Sequence, residues 1–183
     1  MKAPRALILG FIVALGLTAC GDDKTTDTAG QGAAPSDTLR VGVLGLPAML
    51  GNPFASLNAP TIYTWSAVFD GLTYINSDGQ LEPWLATSWK TINSNTWQFT
   101  LRDDVTFSNG ERFTSDAVVN VVDYLMSPEA ATGSVGQMLN TLAGARAIDA
   151  YTVEITTSVP SILFPREAAS LRMVALDHWR KLG

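Results

Sequence analysis

The residues that could do chemistry are scarce in this chain. Its 183 residues include one cysteine, Cys20, and one histidine, His178. A single thiol closes no internal disulfide and cannot build a cysteine-ligated structural zinc site. A single imidazole leaves no spacing from which a Ser-His-Asp arrangement can be argued. The sequence holds no phosphate-cradling GxxxxGK[ST] loop, no GxGxxG turn and no HExxH helix. His178 stands alone at the start of the last expected helix, where a histidine ordinarily caps or faces solvent. No residue is therefore a candidate for catalysis, for holding a cofactor or for binding a metal.

Charge narrows the partners. The chain has 12 basic and 17 acidic residues, a net charge of -5 and a pI near 4.7. With no Lys/Arg run, that balance argues against a nucleic-acid surface. Lys2 and Arg5 precede Cys20 and every acidic residue follows it, so the part after Cys20 has 10 basic and 17 acidic residues, a net of -7. Lys2 and Arg5 fit the positive start of an export signal, and Ala6 to Leu17 is an apolar run of the length its core needs. That run is short for a membrane span.

The run ends in Leu17-Thr18-Ala19-Cys20, which resembles the lipobox of bacterial lipoproteins. The resemblance implies cleavage before Cys20 and acylation of its sulfur. The alternative is a soluble signal peptide cleaved nearby, with Cys20 incidental. Each buried CH₂ of an acyl chain would add about 0.8 kcal/mol to membrane affinity. Gly21 to Asp37 contains no large apolar residue and cannot bury enough surface to offset its ordering entropy. It is read as a flexible tether or, more blandly, a processing remnant.

Beyond the tether, the elements follow from period and punctuation. Thr38 to Gly45 is a strand with Leu39, Val41 and Val43 on one face, and the Pro-rich 46–60 stretch is a loop. A short helix is expected over Thr61 to Asp70, with Ile62, Trp65, Ala67 or Val68, and Phe69 inward. Leu72 to Ile75 reads as a strand and Ser77-Asp78-Gly79 as a turn. Pro83 to Ala86 is expected to make a turn and one helical turn. Trp89 to Ile92 and Trp97 to Leu101 should pair around Asn93-Ser94-Asn95. Trp84, Trp89 and Trp97 are expected in one aromatic cluster. After the turn at Ser108-Asn109-Gly110, Thr114 can cap a helix with Asp116 in its first turn and Val118, Val121, Val122 and Leu125 as its stripe. Pro128 to Leu142 is a helical stretch weakened by Gly133 and Gly136. A hairpin follows around Asp149-Ala150-Tyr151. Ser161 to Ala169 is helical, Arg172 to Leu176 a short buried strand, and Asp177 a cap for the last helix. The fold class is α+β.

The order from Phe69-Asp70-Gly71-Leu72-Thr73-Tyr74 through the stretch from Thr96 to Val119 resembles the N-terminal lobe of bacterial extracellular solute-binding proteins of family 5. These are the receptors of ABC importers for peptides, nickel and sugar oligomers. The resemblance covers Leu39 to about Gly183, and its most specific part is Thr96 to Val119. Asn109 stands where many members have Asp, and Ala117 where Val is usual. The resemblance implies a two-lobed periplasmic-binding-protein-like fold of mixed sheet, with an antiparallel subdomain inserted at about 62–155. Residues 1–20 would be the lipoprotein signal, 21–37 the tether and 38–183 a partial first lobe. The second lobe is absent from this sequence, which on that ground reads as a fragment.

The same resemblance assigns a partner and a site. The ligand would be a peptide or similar small solute, with nickel, opines and oligosaccharides left open. An ABC permease would receive it, and the membrane would hold the protein through Cys20, outside the cytoplasm. In the family the loop after the first strand reaches the cleft between lobes, and Asn52-Pro53-Phe54 looks like that element. Met49, Leu50, Asn52 and Phe54 are thereby candidate ligand contacts, the alternative being that the apolar ones pack beneath the loop. No catalytic residue, cofactor or metal is implied. The rival reading is a structural or partner-binding envelope lipoprotein with no small-molecule ligand.

Overall fold

The computed structural model describes residues 42, 43, 45, 51–55 and 57–182. Cys20 with its leader, the 21–37 tether, most of the strand expected at 38–45, and Met49 and Leu50 lie outside the described residues. The chain order is α1 (Ala59–Trp65), β1 (Thr73–Ile75), β2 (Leu81–Pro83), β3 (Ala86–Asn93), β4 (Thr96–Leu101), α2 (Ser115–Met126), α3 (Pro128–Ala131) and α4 (Ser134–Met138). Then come β5 (Leu142–Asp149), β6 (Thr152–Thr157), α5 (Phe164–Glu167), a 3₁₀ turn (Ala168–Ser170) and α6 (Leu176–Leu182). This mixture of helices with an antiparallel sheet is the expected α+β class.

One sheet runs β3-β4-β6-β5, antiparallel throughout, and β1-β2 is a separate small hairpin. Alternation along the two central strands sends Phe99, Leu101, Val153 and Ile155 into the core. Helix α2 packs on β5 and β6, and its stripe of Val118, Val121, Val122 and Leu125 is buried, together with Tyr124. Each such side chain contributes about 1.5–3 kcal/mol by leaving water.

Thr114 occupies the α2 cap position, yet its side chain makes no capping bond. The next residue does the anchoring instead. The Ser115 amide donates to the Ala150 carbonyl at 2.9 Å, and the Ser115 hydroxyl donates to the Asp149 carbonyl. The hairpin turn thus takes the place of a local cap.

Elsewhere the structure corrects the sequence reading. Helix α1 stops at Trp65 rather than running to Asp70, capped by Asn58, whose Oδ1 accepts from the Thr61 amide at 3.0 Å. Its inward pair is Thr61 and Trp65, while Ile62 and Val68 are exposed. No helical turn forms at Pro83 to Ala86. The amides of Leu85 and Ala86 are drawn instead to the carbonyls of Gly71 and Leu72, at 3.4 and 2.7 Å. The tryptophans do not cluster. Trp84 stacks on Tyr74, Trp89 faces Phe99, and the Trp97 indole donates to the Ser161 carbonyl. Residues 171–175 have no regular secondary structure and join no ladder among the described residues, though they are mostly buried, and Leu176 already opens α6. The Met173 amide reaches across to donate to the Asp70 carbonyl at 2.8 Å.

Candidate functional site

The stretch 51–55 holds the two described members of the candidate set, Asn52 and Phe54. Asn52 begins with an Asx turn, its Oδ1 accepting from the Phe54 amide at 2.9 Å. That turn directs Phe54 inward, where it is 1% exposed. There its ring meets Tyr124 of α2 at 5.3 Å and Trp179 of α6 at 5.7 Å, and those two rings lie 5.5 Å apart. The edge-on and tilted geometry is what aromatic quadrupoles favour. Phe54 therefore supports the loop from beneath, and half-buried Asn52 is the one of the pair near its surface. Met49 and Leu50 lie outside the described residues.

The surroundings of this aromatic group are charged. The Arg180 guanidinium sits over the Tyr124 ring at 5.1 Å, and the Tyr124 hydroxyl donates to Glu129 at 3.4 Å. Burial raises the Tyr124 phenol above its ordinary pKa, and the Glu129 charge pushes the same way. Arg172 is 6% exposed, and one guanidinium nitrogen donates to the Pro53 carbonyl at 2.7 Å. Burial lowers its pKa from the ordinary arginine value. Among the described residues no carboxylate forms an ion pair with it. Sequence reading missed Arg172 because an arginine between apolar residues resembles an ordinary surface position of a strand.

Beside the loop opens a cavity of about 570 Å³, bordered by Gly51, Trp65, Phe69, Phe107, Met173 and Trp179, among others. Its wall is mainly apolar and aromatic, the usual make-up of a small-molecule pocket. The Trp65 indole nitrogen, buried at this wall, has no hydrogen-bond partner among the described residues. His178 lies at the border of the cavity. Among the described residues no group of three or more His, Cys, Asp or Glu is placed to hold a metal ion. No described helix is long and apolar enough to cross a membrane.

Comparison with known proteins gives this architecture its class. Residues 80–179 match the family model described as bacterial extracellular solute-binding proteins, family 5 Middle. The chain belongs to that family. It is 47% identical over 57 residues to the nickel-binding periplasmic protein of Escherichia coli, covering 31% of this chain and 11% of that one. It is 28% identical over 130 residues to the periplasmic murein peptide-binding protein of the same organism, covering 62% and 24%. The solved structure of OppA from Burkholderia pseudomallei superposes with a TM-score of 0.67 at 27% identity, over 73% of this chain and 29% of that one. The chain thus spans a tenth to a quarter of the length of these curated relatives.

Proposed function

We propose that this chain is part of the substrate-binding component of an ABC importer, capturing a peptide or similar small solute outside the cytoplasmic membrane and delivering it to a permease. The family match over residues 80–179 carries this reading. Two similar proteins, named for binding nickel and murein peptide, support a solute ligand. The reading makes the protein a receptor and not an enzyme. Residues 1–20 form a lipoprotein signal, 21–37 a tether from acylated Cys20, and 38–183 part of the first lobe, with the antiparallel subdomain inserted at about 62–155. Met49, Leu50, Asn52 and Phe54 belong to the loop at the ligand cleft, with Phe54 acting through its packing.

Thermal-shift and calorimetric titration of the product of the complete reading frame tests this. The probes are nickel(II), a synthetic murein peptide and a random short-peptide library. Saturable binding of one probe, with a rise in melting temperature, is expected. Failure of all three to shift the transition would remove the receptor reading.

A further inference from the structure

Four carbonyls of the stretch 51–55 accept hydrogen bonds, and the donors come from three separate places in the chain. The Trp179 indole donates to Gly51 and the Arg172 guanidinium to Pro53, across 128 and 119 residues. The amides of Val135 and Ser134, opening α4, donate to Phe54 and Ala55, each at 3.3 Å. Surface loops usually satisfy their carbonyls locally or with water. This loop is held from outside, and two of its holders are side chains.

The choice of holders is costly for packing alone. Arginine is almost never this buried without a paired charge, and an apolar side chain would fill the same space without desolvating a cation. What arginine adds is a directed, charge-assisted donor to one chosen carbonyl. Trp179 does two tasks, since its ring packs on Phe54 while its N–H reaches Gly51.

We infer that Arg172 and Trp179 are positioning residues. They lock the Gly51–Ala55 loop to α6 and to the 171–175 segment, so that the loop meets solute as a fixed wall and not as a closing flap. The contact with solute rests on the receptor reading above, while the locking stands on these bonds alone.

Hydrogen exchange at the amides of Asn52, Phe54 and Ala55, read by mass spectrometry on the product of the complete reading frame, tests the locking. Trp179→Phe keeps a ring and removes the indole N–H. Arg172→Met removes the cation, and Arg172→Lys restores a donor. At least fivefold faster exchange is expected in Trp179→Phe and Arg172→Met, with recovery in Arg172→Lys. If Arg172→Met does not fold, the Trp179→Phe and Arg172→Lys results decide. Exchange within twofold of the parent in Trp179→Phe, or in a folded Arg172→Met, overturns the locking.

The wall role is read from the affinity for nickel(II) or murein peptide, whichever the parent protein binds. A fivefold or greater loss in Trp179→Phe, at an unchanged melting temperature, is expected. Faster loop exchange with unaltered affinity would overturn the wall while sparing the locking. A parent that binds neither probe and no library peptide sinks the receptor reading and the wall with it, and the exchange result still decides the locking.

Discussion

The Thr73 hydroxyl donates to the Pro165 carbonyl at 2.6 Å in the interior, joining residues 92 apart in sequence. Strand β1 is thereby tied to the first turn of α5, through a carbonyl that is itself buried. Thr73→Val keeps the shape and removes the donor. It should destabilise the protein by about 1–3 kcal/mol, because the acceptor is left unsatisfied. Urea denaturation measures this, and an unchanged midpoint would show that the bond contributes nothing.

Gly71 lies where two backbones cross. A Cβ built there would sit 2.5 Å from the Ala169 carbonyl oxygen and 2.9 Å from its carbon. Both neighbours are main chain, so neither can swing aside. Gly71→Ala is expected to cost about 1–3 kcal/mol, with a shift of the 3₁₀ turn visible in amide chemical shifts. Native stability in this variant would mean that the crossing is looser than drawn.

Phe99 occupies the centre of the sheet's buried face and touches the rings of Trp89 and Phe164. Phe99→Ala should cost about 3–5 kcal/mol, through lost transfer energy and the cavity left behind. Thermal melting of parent and variant side by side gives the comparison, and a loss below 1 kcal/mol would count against a close-packed centre.

Asp104 takes two hydrogen bonds from Arg102, both at 2.8 Å, and that contact holds its carboxyl below the usual range. A lowered folded-state pKa adds stability above the unfolded value of about 3.9 and loses it as pH falls through the folded value. The pair lies exposed at the surface, so the effect on stability is small and salt-sensitive. Carboxyl-carbon NMR should show Asp104 titrating at higher pH in Arg102→Met than in the parent. Coincident titration curves would dissociate the shift from Arg102.

The proposed acylation of Cys20 makes a cellular prediction. In cells expressing the complete reading frame, Cys20→Ser should move the protein from the membrane fraction to the soluble one. Mass spectrometry of the mature N-terminus should find the diacylglyceryl adduct in the parent alone. A parent protein that is soluble and unacylated would leave Cys20 incidental.

What the sequence made legible was local and periodic. Val118, Val121, Val122 and Leu125 announce their face because 3.6-residue spacing leaves one choice, and the turns at Gly79 and Gly110 carry the positive φ their residues suggested. The errors share a cause, which is that the deciding partner is distant. Nothing near Ile62 says that its side of α1 faces water, and nothing near Val68 says that it lies past the helix end, exposed. Leu85 and Ala86 spend their amides on Gly71 and Leu72, so the short helical turn had no chance to form. Thr114 holds the cap position as expected, but its side chain makes no capping bond, and the Ser115 amide and hydroxyl are anchored instead by Ala150 and Asp149 far along the chain. The loop at Asn52 to Phe54 was visible as a loop, whereas its anchors at Arg172 and Trp179 stand more than a hundred residues away.

The pairing of β4 with β6 sets an order of assembly. The β3-β4 and β5-β6 hairpins are closed by short turns and can form within microseconds. Joining them through Trp97 and Ile155 closes a span that contains α2, α3 and α4. That step carries the larger loop-closure entropy and should govern the refolding rate. Destabilising substitutions at the β4-β6 seam or in either hairpin turn should therefore slow refolding, while those at contacts made after that step should mainly hasten unfolding.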